Sequence, residues 1–147
     1  MPLSREEVSA LSHAGSEDAL GWVDVFRALR HRTLNRLQVA YGWAQLGEEE
    51  AARAALEEHL LEEQRLSALL ASGDSPQQDT LLRLLAQCER DGRVVRLRGD
   101  AAAIGAPALQ DLLSALRSAI ESGGGEPLEI ALTVDGARVV RGEVGGC

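Results

Sequence analysis

Apolar residues recur at spacings of three and four from about Ser16 to Leu46, at Leu20, Trp22, Val23, Phe26, Leu29, Leu37, Tyr41 and Ala44. That period predicts one long amphipathic helix. Gly47 follows the last periodic residue, where a left-handed C-terminal residue is expected. Glu48, Glu49 and Glu50 then place negative charge on the first turn of a second helix, which favours its positive N-terminal end. This second helix is expected from about Glu48 to Leu70, with Ala52, Leu56, Leu60, Leu66, Leu69 and Leu70 on one side and Glu57, Glu58, Glu62 and Arg65 largely outside. So short a connection makes the pair an antiparallel hairpin.

The period breaks over Ala71 to Pro76, where Gly73, Asp74, Ser75 and Pro76 combine a turn, a cap and a first-turn proline for the next element. Beyond it the pattern predicts a helix near Thr80 to Glu89, a strand near Arg93 to Arg98, and a helix near Pro107 to Glu121. Strands Leu128 to Val134 and Ala137 to Val144 come next, with Asp135-Gly136 as a tight hairpin turn. Ser122 to Gly125 reads as a flexible connection, and no internal repeat is visible. The fold class is α+β: a leader over residues 1–15, a helical hairpin over 16–72 and a small α/β domain over 73–147. A lone hairpin has one neighbour across which to bury each apolar stripe, so two copies are expected to pair as a dimeric four-helix bundle. The alternative is that the α/β half covers the hairpin within one chain.

Composition agrees with helices. Hydrophobic residues make up 45% of the 147 residues and aromatics only 3%, so Leu, Ala and Val must build the core. The formal net charge is −8 and no basic stretch could track a phosphate backbone, which argues against nucleic-acid binding. No apolar run reaches membrane-spanning length, and Met1 to Ser16 is polar and acidic, so no membrane association and a cytoplasmic location are expected. Cys88 and Cys147 stand far apart without a partner at metal-ligand spacing, and both read as ordinary thiols.

On a helix advancing about 100° per residue, Trp22, Phe26, Leu29, Leu37, Ala40 and Ala44 cluster on one side and His31 falls nearly opposite. Asp24, Arg27, Asn35 and Gln38 share the His31 side, which predicts a polar strip with a reachable imidazole. An exposed histidine on a helix is by itself an ordinary surface residue. The run Leu29-Arg30-His31-Arg32-Thr33-Leu34-Asn35-Arg36-Leu37-Gln38 is more specific. It resembles the phospho-acceptor motif of the sporulation initiation phosphotransferase B family and the related citrate and fumarate sensor kinases, in which Arg-His is followed by three residues, Asn, one residue and Leu-Gln or Leu-His. Arg30, His31, Asn35, Leu37 and Gln38 match it, and the likeness runs over roughly residues 20 to 70. Where that family commonly has an acidic residue after the histidine, this chain has Arg32.

The resemblance implies a homodimeric histidine phosphotransferase in a phosphorelay of spore-forming bacteria. His31 would accept a phosphoryl group from an aspartyl phosphate on one response-regulator receiver domain and pass it to another. It also implies that Arg27, Arg30, Arg32, Asn35 and Gln38 orient the phosphoryl group or contact the receiver, unless they are simply a solvated helix face. The second half is similar to a reduced histidine-kinase ATPase domain, in which Ser114 and Ser118 stand at the two asparagine positions that hold magnesium in kinases. The chain shows no Asp-x-Gly-x-Gly box, so no ATP use and no intrinsic cofactor or metal are expected, with Mg²⁺ supplied on the partner receiver. Two rivals are a receiver-binding module that is never phosphorylated and a truncated sensor kinase. Among other residues, His59 is expected to be a satisfied interface histidine, Trp22 a core residue, Tyr41 and Trp43 caps near the bundle end, and His13 part of the leader.

Overall fold

A computed structural model describes residues 21–100, 104–133 and 136–141. The elements are α1 (Trp22–Gln45), α2 (Glu49–Ala71), α3 (Ser75–Arg90), β1 (Val95–Gly99), α4 (Ala106–Glu121), β2 (Leu128–Thr133) and β3 (Gly136–Arg141). Among the described residues this is an α+β chain with a small mixed sheet in the order β1-β2-β3, in which β1 runs parallel to β2 and β2 antiparallel to β3.

Local chemistry sets the joints. Gly47 adopts φ 77°, the left-handed conformation that costs a glycine little, and the Leu46, Gly47 and Glu48 amides reach back to carbonyls of the last turn of α1. At the head of α3 the Gln77 amide donates to Asp74 Oδ1 at 2.9 Å while the Asp74 amide donates to Gln77 Oε1 at 3.1 Å. This capping box and Pro76 start the helix at Ser75 rather than near Thr80, because the polar first turn carries no apolar period to mark it. β1 begins at Val95 rather than Arg93, whose buried guanidinium instead donates to the carbonyls of Glu126 at 2.8 Å and Ala119 at 3.0 Å.

Helices α3 and α4 cover one face of the sheet. Val95 and Leu97 of β1 and Leu128, Ile130 and Leu132 of β2 alternate inward and meet Leu81, Leu85, Leu109, Leu112 and Leu116. Each such leucine contributes about 1.5–3 kcal/mol by leaving water. Leu69 of α2 belongs to the same core, with Leu66 and Leu70 against it, so the hairpin grows out of the α/β half without a break in packing. A second contact sets Val25 and Ala28 of α1 against Ala86 of α3.

Two expectations need correction: Glu62 and Arg65 of α2 do not lie outside, and Trp22 is not in the core. The face of α1 turned to the rest of the chain carries Val25, Ala28 and Ala40, whereas Trp22, Phe26, Leu37 and Ala44 are exposed. On α2, Leu56 and Leu60 are exposed and Glu62 is buried, at 3% exposure, with Arg65 half-buried beside it. Trp22 is not a core residue: its ring lies beneath the Arg83 guanidinium, 4.8 Å from centroid to Cζ. The hairpin meets α3 through the small apolar residues Val25 and Ala28, and it meets β1 through Arg32, Arg36, Glu62 and Arg65. The stripe with Trp22, Phe26 and Leu60 is thereby left on the outside.

The leader with His13, the residues Val134 and Asp135 at the expected hairpin turn, the end of the last expected strand and Cys147 lie outside the described residues. Among those described, no helix is long and apolar enough to cross a membrane.

Candidate functional site

β1 is an edge strand, and among the described residues its outer side pairs with no other strand. An open edge presents unpaired amides and carbonyls, which cost free energy if left dry. Side chains of the hairpin take them up. Arg32 and Arg36 of α1 each donate through Nη2 to the Val95 carbonyl at 3.4 Å. Glu62 Oε1 accepts from the Leu97 amide at 3.3 Å, and Arg65 donates to the carbonyls of Leu97 at 3.0 Å and Gly99 at 2.8 Å. Glu62 also pairs with Arg32 at 3.3 Å and with Arg36. Loss of water lowers the pKa of both arginines, that of Arg36 to about 10, where the neighbouring positive charges of Arg32 and Arg96 push the same way. This ionic comb fixes how α1 sits on the α/β half.

His31 stands one residue before Arg32 and points elsewhere. Its ring is 65% exposed, and Nδ1 lies 3.0 Å from Oε1 of Glu89, near the end of α3. The amide of Asn35, one helical turn on, is 3.4 Å from the same nitrogen. Among the described residues Nε2 has no hydrogen-bond partner. The ring is thus tethered through one nitrogen and leaves the other accessible, and a bare imidazole nitrogen can act as a nucleophile.

Beside it lies a cleft of ≈ 450 Å³ between the hairpin and the sheet, lined among others by Asn35, Arg36, His59, Glu89 and Arg96. Arg32 also lines it, but with its guanidinium held by Glu62 and Val95 it braces the fold and is not presented beside His31. Arg27, Arg30 and Gln38 are exposed on α1. Arg27 falls one turn before His31 on the same face, whereas Arg30 is turned by about 100° toward the exposed apolar stripe.

The Nδ1 of His59 is buried and, among the described residues, has no hydrogen-bond partner within the chain. Cys88 is buried and its thiol is pushed up to about 11 by loss of water, as befits an inert thiol. Ser114 and Ser118 line a separate cleft of ≈ 360 Å³ between α3 and α4, with Gln77, Thr80, Gln110 and Arg117.

Sequence reasoning missed Glu89 and the pairing partner of Arg32. Glu89 is 58 positions from His31 and Glu62 is 30 from Arg32, and neither carboxylate sits in a motif, so only the tertiary fold brings them in. No protein-family model, no curated protein and no solved structure matches the chain.

Proposed function

We propose that this protein is a histidine phosphotransferase of a phosphorelay, taking a phosphoryl group onto His31 from an aspartyl phosphate of a receiver domain and passing it to another, with no use of ATP. The observation that carries this reading is the exposed His31 ring held on α1 within the Arg-His, Asn, Leu-Gln run. In the transfer a ring nitrogen of neutral His31 bonds to phosphorus with its lone pair. The bond from phosphorus to the aspartyl oxygen breaks, and the carboxylate leaves with the electron pair. In-line phosphoryl transfer asks the protein mainly for positioning and charge neutralisation. The helix supplies the first. The partner's Mg²⁺ would supply much of the second, with Arg27, one turn away on the same face of α1, near enough to add to it.

The same reading includes a homodimer. Phe26 at 65% exposure and Leu60 at 59%, with Leu37 and Leu56, form apolar surface on both helices of the hairpin, and pairing two hairpins would remove it from water. His31 lies nearly opposite Phe26 on α1 and would stay outside such a bundle.

The test is to mix the protein with a receiver domain carrying a radiolabelled aspartyl phosphate and follow acid-labile label. The expected result is transfer to the wild-type protein and none to His31→Ala. Label on His31→Ala would refute the site, and tight receiver binding without any transfer would favour a non-catalytic binding module.

A further inference from the structure

We infer that Glu89 is a positioning residue for His31, holding the ring proton on Nδ1 so that Nε2 is the nitrogen that takes and releases the phosphoryl group; this rests on the reading of His31 as phospho-acceptor. Neutral imidazole can carry its proton on either nitrogen, and only the bare nitrogen is nucleophilic. An ionised carboxylate accepts hydrogen bonds and donates none, so the proton in the 3.0 Å contact belongs to Nδ1. Asn35 could compete by donating its amide N–H to the same nitrogen. At 3.4 Å that contact is the longer and the neutral one, and the shorter charge-assisted bond decides where the proton sits.

Glu89 is suited to this role by its surroundings. Its side chain is 19% exposed while the ring it holds is 65% exposed, so the anchor is covered and the reactive end is open. It also comes from α3, outside the hairpin. The α/β half therefore touches the acceptor directly, and the packing of Val25 and Ala28 on Ala86 fixes the distance between the two helices.

The same contact serves both directions of transfer. As Nε2 bonds to phosphorus and the aspartyl oxygen departs with its electrons, the ring gains positive charge while Nδ1 keeps its proton, and the Glu89 carboxylate stabilises that charge. In the return step a carboxylate oxygen of the next receiver attacks phosphorus and the Nε2–P bond breaks. Its electron pair returns to the ring, and the proton is still on Nδ1. No external acid, base or oxidant is needed.

The full-length protein labelled with ¹⁵N-histidine tests this, in long-range proton–nitrogen spectra taken where the rings are neutral. His31→Ala identifies the His31 signals. The wild type is expected to show the proton on Nδ1, Glu89→Ala a mixture of both forms, and Glu89→Gln the Nδ1 form again, because its amide oxygen still accepts. Labelling from the radiolabelled receiver is expected to slow by about tenfold in Glu89→Ala, the scale of one charge-assisted hydrogen bond. Glu89→Gln should fall between the two, since it keeps the proton in place and loses the charge. An unchanged spectrum or a wild-type labelling rate in Glu89→Ala would overturn the role of Glu89. Absence of label on the wild type would instead overturn phosphotransfer itself.

Discussion

Nε of Arg65 lies 2.8 Å from the carbonyl oxygen of Gly99, and Nη1 of the same guanidinium is 3.0 Å from that of Leu97, so one side chain of α2 spans successive outward groups of β1. Arg32, Arg36 and Glu62 serve the groups before them. The join between hairpin and sheet is thus built from charges whose partners are fixed in number and direction, and it is sensitive to the loss of any one.

Glu62 is the centre of that join, and Glu62→Ala leaves Arg32 and Arg36 covered without their counter-charge. Breaking a buried pair in this way costs about 3 kcal/mol. The expected outcome is a lower urea midpoint with an unchanged slope. Glu62→Gln should lose less, because its amide oxygen can still accept from Leu97.

Phe26→Glu together with Leu60→Glu places charge on the uncovered stripe of each hairpin. If the proposed homodimer forms there, the double variant is expected to run as a monomer by light scattering while its far-ultraviolet circular dichroism stays that of the wild type. A dimer that persists in the double variant would show that the copies pair elsewhere.

The elements themselves were readable from periodicity and punctuation: Gly47, the Gly73-Asp74-Ser75-Pro76 run and the alternation in β1 and β2 each act through local sterics or hydrogen bonds. Which face of the hairpin meets the sheet was not readable. An apolar stripe normally seeks the nearest core, but here Leu69 and Leu66 anchor the lower end of α2 in the core and rotate the remainder so that Glu62 and Arg65 face β1. A buried glutamate carries no mark in the sequence that separates it from the exposed Glu58 one turn away. His31 is exposed, as the sequence reading expects, but its place opposite the stripe is not the reason, since that stripe is exposed too and Val25, Ala28 and Ala40 form the covered face. Its contact with Glu89 depends on how α3 returns along α1.

Asp74→Ala removes the acceptor that holds the Gln77 amide at the head of α3. The expected cost is about 1 kcal/mol, as for other caps. Thermal unfolding should show it as a modest fall in the midpoint, and Asp74→Ser should recover most of the loss.

Cys88 reports on the core. Its pKa is raised from the ordinary 9.0 to about 11 because burial disfavours the thiolate, so at mildly alkaline pH the native thiolate fraction is well below that of a free thiol. In a Cys147→Ser background, alkylation is expected to be slow in the native protein and fast in denaturant. The folded state binds this proton more tightly than the unfolded state. The contribution to stability is therefore complete below pH 9.0 and lost as pH rises through about 11.

The ionic comb also settles what happens if the two halves are separated. A fragment starting at Gly73 would keep α3, α4 and the sheet but leave the Val95, Leu97 and Gly99 main-chain groups bare along one side. A bare edge of this kind is a template for strands of other molecules, so the isolated half is expected to aggregate in light scattering. In the intact chain the same edge is occupied by Arg32, Arg36, Glu62 and Arg65 of the hairpin.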